Sequence, residues 1–146
     1  MNRRTLLQSV PAAAFLYKSL GAAARQDKAN PAPATTAVYE LRVYHASSGK
    51  LQELLARFRD HTDKLFARHG MKSVAYWTPV DEPDKSNTLI YILSHPSREA
   101  AAANWKSFQD DPEWKSVKEK SEANGKLTDK IDSTFLALTD FSPPLR

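Results

Sequence analysis

Apolar positions along the chain change their period in a fixed order. From Val38 to Tyr44 the side chains alternate, Tyr39, Leu41 and Val43 against Glu40, Arg42 and Tyr44, the two-residue repeat of a pleated strand. After Ser47-Ser48-Gly49, the residues Leu51, Leu54, Leu55, Phe58, Thr62, Leu65 and Phe66 recur at three- and four-residue spacing, which predicts a helix of five turns. Its other face is polar, with Glu53 and Arg57 spaced as an i,i+4 ion pair, and Gly70 stands where a left-handed cap ends it. Met71 to Val80 reads as a second strand, and Asp81 to Asn87 as a polar turn broken by Pro83. Thr88 to Ser94 is almost wholly apolar, as a strand covered on both faces requires. Pro96-Ser97 opens a helix with Ala101, Trp105 and Phe108 on one side. It breaks at Asp110-Asp111-Pro112, where Asp111 can cap a second piece that Pro112 starts and that carries Trp114 and Val117 as far as Asn124-Gly125. Ile131 to Leu138 makes the last strand.

The order β-α-β-β-α-β predicts an α+β fold, a ferredoxin-like four-stranded antiparallel sheet with both helical segments on one face. Helices on one side leave the other side of the apolar third strand bare, a larger patch than a soluble monomer usually exposes. A second copy packed sheet to sheet, a homodimer enclosing a shared lumen, is the expected cover.

Composition fits one domain with a real core: 146 residues, 41% hydrophobic and 26% charged. The absence of cysteine removes disulfides, thiolate metal sites and a cysteine nucleophile. Residues 1–24 read as a signal peptide, with Arg3 and Arg4, an apolar run of eight residues from Val10 to Tyr17, and Ala22-Ala23-Ala24 as the cleavage signal. The paired arginines followed by Leu6 and Leu7 resemble the bacterial twin-arginine export signal. That apolar run is short of the ~20 residues that span a bilayer, so cleavage near Ala24 is expected to leave no membrane span and to place the protein in the periplasm or outside the cell.

The leader also changes the charge argument. The formal net charge of +4 invites a nucleic-acid reading, but Arg3, Arg4 and Lys18 belong to the leader; without them the 21 basic residues become 18 against 17 acidic, a net of +1. No basic stripe remains to neutralise a phosphate backbone, so nucleic acid is not expected as a partner. Residues 25–36, with two prolines and no large apolar side chain, read as a tether, and 37–143 as the folded domain.

Candidate chemistry is sparse. Glu40, Arg42 and Tyr44 share one face of the first strand; if that face lines the lumen, the charged pair can orient an anionic or carbonyl-bearing ligand, against a reading as a structural ion pair or one holding the two copies in register. Trp77 is the tryptophan whose strand can also face the lumen, whereas Trp105 reads as core. His45, His61, His69 and His95 show no metal-ligand spacing, so no metal is expected; His69 reads as a helix C-terminal cation and His95 as a strand-end residue. No serine-nucleophile motif or glycine phosphate loop is present.

Five segments carry a family resemblance: Val38-Tyr39-Glu40-Leu41-Arg42-Val43-Tyr44; Gly49-Lys50-Leu51; Ala75-Tyr76-Trp77; Asp111-Pro112-Glu113-Trp114; and Phe135-Leu136 with Thr139-Asp140-Phe141-Ser142-Pro143. Together they resemble a NIPSNAP domain over essentially all of residues 37–143. The resemblance implies the dimeric α+β barrel fold, shared with small cofactor-free monooxygenases and related binding proteins, and it implies no settled activity. The expectation is an exported homodimer that binds a small, partly apolar ligand or a protein partner, with no cofactor. The alternative is a cofactor-free monooxygenase-like or isomerase-like enzyme acting in the lumen through Glu40, Arg42, Tyr44 and Trp77.

Overall fold

A computed structural model describes residues 37–145. The strands are β1 (Val38–Ala46), β2 (Lys72–Trp77), β3 (Thr88–His95) and β4 (Thr128–Leu136). The helices are α1 (Leu51–Arg57), α2 (Asp63–Arg68), α3 (Arg98–Asp110) and α4 (Pro112–Ser121), and a 3₁₀ turn, Asp84–Ser86, lies between β2 and β3. The leader and tether read from residues 1–36 lie outside the described residues. Among the described residues no helix is long and apolar enough to cross a membrane.

All strands pair antiparallel in the order β2-β3-β1-β4, the ferredoxin-like arrangement that the element order predicts. β1 and β3 run one or two residues past the sequence reading, to Ala46 and His95, and β2 and β4 differ from it more. β2 stops at Trp77, opposite Ile90, because Pro79 follows and cannot donate to a ladder. β4 starts at Thr128 and ends at Leu136, since it follows the length of its partner β1, whose ladder runs from Ala46 opposite Thr128 to Tyr39 opposite Leu136. Its polar first turn, Thr128 to Lys130, leaves no hydrophobic alternation for sequence reading to detect.

Register assigns the faces. Leu41 lies opposite Ile92, Val43 and Trp77 opposite Ile90, and Ala75 opposite Ile92, so these side chains share one surface. Glu40 lies opposite Leu93, Arg42 opposite Tyr91, Tyr44 opposite Leu89 and Tyr76 opposite Tyr91 on the other surface. The second surface is the one the helices cover: Tyr44, Leu89, Tyr91 and Leu93 join Leu51, Leu54, Phe58, Leu65, Phe66, Met71 and Phe108 in the core. This placement corrects one grouping. Trp77 cannot share a cavity with Glu40, Arg42 and Tyr44, because a residue of the opposite parity in the sheet points the other way.

The predicted five-turn helix is interrupted. Between α1 and α2 the segment Phe58–Thr62 is a π turn, where the Asp63 amide donates to the Phe58 carbonyl and Thr62 Oγ1 donates to the Arg57 carbonyl at 3.2 Å. Arg57, three residues after buried Leu54 in α1, and Phe58 are both buried. Arg57 therefore does not pair with Glu53 on a solvated flank as its spacing suggests; Glu53 takes Lys50 instead, at 2.8 Å. Farther on, the expected capping is observed: Ser97 Oγ accepts from the Ala100 amide, and Asp111 accepts from the amides of Glu113 and Trp114 behind Pro112. Gly70 adopts φ +75°, and a Cβ there would also meet Asn104 Nδ2 at 3.1 Å.

Candidate functional site

Glu40 is a charge buried in the middle of the helix-covered face, 1% exposed, and the site is built around it. Oε1 accepts from Arg42 Nη1 at 2.6 Å and from Ser133 Oγ on β4 at 2.7 Å, and Oε2 accepts from Trp105 Nε1 on α3 at 2.7 Å. Burial works to raise its pKa, but hydrogen bonds from His95, Ser133, Trp105 and Arg42 outweigh that and hold it at about 2. An ionised carboxylate can only accept, so His95 Nε2, at 3.1 Å from Oε2, carries the proton. Burial likewise opposes the charge of Arg42, and the neighbouring Tyr44, Tyr91 and Glu40 overcome it, leaving the guanidinium held above its ordinary pKa. Its carbon lies 4.3 Å from the centroid of the Trp105 ring, a cation–π contact.

Above this network opens a cleft of about 580 Å³ between the sheet and the helices. Its floor includes Arg42, Tyr44 and Ile131, its walls carry Phe58, Phe66, Trp105, Phe108 and Trp114, and Lys115, Lys118 and Lys126 stand on its rim. The aromatic rings pack edge to face or tilted, with Phe66 and Trp105 centroids 5.4 Å apart and Phe108 and Trp114 4.5 Å apart. Buried Arg57 closes one side by donating to Glu122 Oε1 at 2.9 Å and Ser121 Oγ at 3.3 Å, which ties α1 to the C-terminal end of α4. A volume of this order lies within the range of small-molecule pockets, and the lining mixes these aromatic side chains with polar and charged ones. The Nε atoms of Arg42 and Arg57 and Thr128 Oγ1, all on residues that line the cleft, are buried without a hydrogen-bond partner.

Of the residues nominated from sequence, Glu40, Arg42 and Tyr44 meet beneath or at this cleft, and Trp77 stands on the opposite face, 47% exposed. The cleft they serve lies under the helices of their own chain, not between two sheets. Sequence reading missed Arg57, Glu122, Ser133 and His95, and it read Trp105 as core, although its indole donates to Glu40 and lines the cleft. The period-two row containing Glu40 carried the signal for three of the residues; for the others, partners far apart in sequence left no local signal.

His69 lies between Ser107, 2.8 Å from Nδ1, and Asp111, 2.7 Å from Nε2. This serine–histidine–acid chain sits outside the cleft. Ser107 is inside α3, and Asp111 already caps α4, so the chain ties the end of α2 to the elbow that sets α4 over the cleft. Among the described residues no group of three metal-ligating side chains could hold an ion.

A four-stranded ferredoxin-like sheet, helices on one face and a cleft beneath them define an α+β protein of the dimeric α+β barrel class. The NIPSNAP family pattern matches residues 39–143, and the chain belongs to that family. Solved structures agree. A NIPSNAP-like domain protein of Burkholderia xenovorans is 19% identical, covers 77% of this chain and 93% of its own, and superposes with a TM-score of 0.66. A NIPSNAP family protein of Agrobacterium tumefaciens is 22% identical over 73% of this chain and 97% of its own, with a TM-score of 0.64. A Streptomyces coelicolor monooxygenase solved with nanaomycin D is 12% identical over 73% of this chain and 91% of its own, with a TM-score of 0.52, a likeness of fold alone. No curated protein matches the chain.

Proposed function

We propose that this NIPSNAP protein is an exported homodimer that binds a small, partly apolar ligand in the cleft under its helices. The observation that carries the reading is the cleft itself: about 580 Å³, walled by five aromatic side chains and floored by an arginine that a buried carboxylate holds in place. Turnover is the weaker reading, because both carboxylates at the site are engaged. Glu122 is paired with Arg57, and Glu40 is saturated by donors and held at about 2, which makes it a poor base. The homodimer is supported by the uncovered face of the sheet, where Leu41, Val43, Ile90, Ile92 and Trp77 form one apolar surface. Export rests on the leader of residues 1–24, and by the twin-arginine route Arg3→Lys with Arg4→Lys should hold the protein in the cytoplasm of a bacterial host; unchanged fractionation would remove that route.

The ligand reading is tested with N-phenyl-1-naphthylamine, a neutral aromatic probe that fluoresces when desolvated. It should bind once per chain, and Ile131→Trp, which fills the cleft from a 44% exposed position, should abolish binding without unfolding the protein. Undiminished binding to the variant would refute the cleft as the site.

A further inference from the structure

Resting on the reading of the cleft as a ligand site, we infer that its ligand is an aromatic anion, its flat body among the aromatic walls and its negative group at the lysine rim. Charge at the mouth points to an anion. Arg42 is neutralised by Glu40 at 2.6 Å and Arg57 by Glu122 at 2.9 Å, so the two arginines of the cleft bring no net field. Lys115, Lys118 and Lys126 are different. All three line the cleft, all are exposed, and among the described residues none has a carboxylate within 4.0 Å. Asp110, whose charge also reaches Lys115, is taken by Lys106 at 2.5 Å.

Three uncommitted ammonium groups around one mouth attract anions and repel cations before any contact forms. Beside apolar walls, where less water intervenes, each acts on a bound charge more strongly than it would in bulk solvent. The walls select the rest of the molecule. Trp105 and Trp114, both partly exposed, present to a planar body the ring surface left free by Arg42, 4.3 Å from the Trp105 centroid, by Arg57, 5.3 Å from that of Trp114, and by buried Phe108. A neutral ligand would use the walls and leave the lysines idle. A simple inorganic anion would use the lysines and leave the walls wet.

Two probes with one aromatic body separate the terms: 1-anilinonaphthalene-8-sulfonate carries a negative charge and N-phenyl-1-naphthylamine does not. Both should bind in the cleft and be displaced by Ile131→Trp, with the sulfonate about tenfold tighter at low salt, the sum of attractions to three exposed ammonium groups. Added salt should erode the sulfonate's advantage and leave the neutral probe unaffected. The triple variant Lys115→Gln, Lys118→Gln, Lys126→Gln changes only exposed side chains and should equalise the two affinities. Equal affinities for the unaltered protein, or a sulfonate preference that survives the triple variant, would overturn the inference while leaving the cleft a ligand site. No binding of either probe would overturn both.

Discussion

Arg42 lies on the Trp105 ring, guanidinium carbon 4.3 Å from the indole centroid, and both side chains are bonded to the same carboxylate, Glu40. One residue of the central strand therefore positions a cation from the sheet and an indole from α3, and the two together form one side of the cleft. The arrangement converts a buried charge, ordinarily a liability, into a fixed geometry, since every donor around it has a defined place.

Replacing that carboxylate by an amide keeps the shape and removes the charge. Glu40→Gln leaves the buried guanidinium of Arg42 without its counter-ion, a loss of about 3 kcal/mol by analogy with other broken buried pairs. Urea unfolding at neutral pH should show the lower midpoint with an unchanged slope, and a midpoint equal to that of the unaltered protein would contradict the assigned network.

Acid should act through the same group. Glu40 is held at about 2 in the folded protein against 4.5 when free, so its stabilisation is complete above about pH 4.5 and disappears as the pH falls toward 2. Across that window the linkage is worth about 3 kcal/mol. Unfolding free energy measured from neutral pH downward should fall less steeply in Glu40→Gln than in the unaltered protein; parallel curves would show that Glu40 titrates normally.

The Arg57–Glu122 pair gives a second cycle. Arg57 is buried and Glu122 partly so, so Glu122→Gln strands a buried cation and should cost about 2 kcal/mol or more, whereas adding Arg57→Met removes the stranded charge. A double-mutant cycle should give a coupling of about 1–2 kcal/mol; additivity would show that the pair contributes nothing.

The uncovered sheet face is tested separately from the cleft. Ile92 lies between Leu41 and Ala75 on that face, at the centre of the sheet. Ile92→Arg should turn a dimer into a folded monomer in light scattering, because a charge there cannot be buried against a second apolar sheet. A monomeric unaltered protein would remove the homodimer from the proposal.

How much of this was legible in the sequence depended on period. The alternation of Val38 to Tyr44 placed Glu40, Arg42 and Tyr44 on one face, and the pattern of elements sufficed for strand order. It could not say which face the helices cover, because β3 is apolar on both sides and a sheet is assigned by what packs on it. Arg57 was misread for a definite reason: it stands four residues from Glu53 but also three from buried Leu54, and its partner Glu122 is far away in sequence. Trp105 has an apolar body that fits a core and an indole N–H whose partner, Glu40, lies far away in sequence, so its polar role emerges only when β1 and α3 meet.

The claim on which the account rests is that small aromatic molecules occupy the space under the helices. The chain has three tryptophans, two of them on the cleft wall and one on the opposite face of the sheet. Titration with 2-naphthol, a neutral aromatic, followed by NMR of the three indole N–H resonances, should move those of Trp105 and Trp114 and leave that of Trp77 in place. Movement of Trp77 alone would put the ligand on the bare sheet and contradict the account.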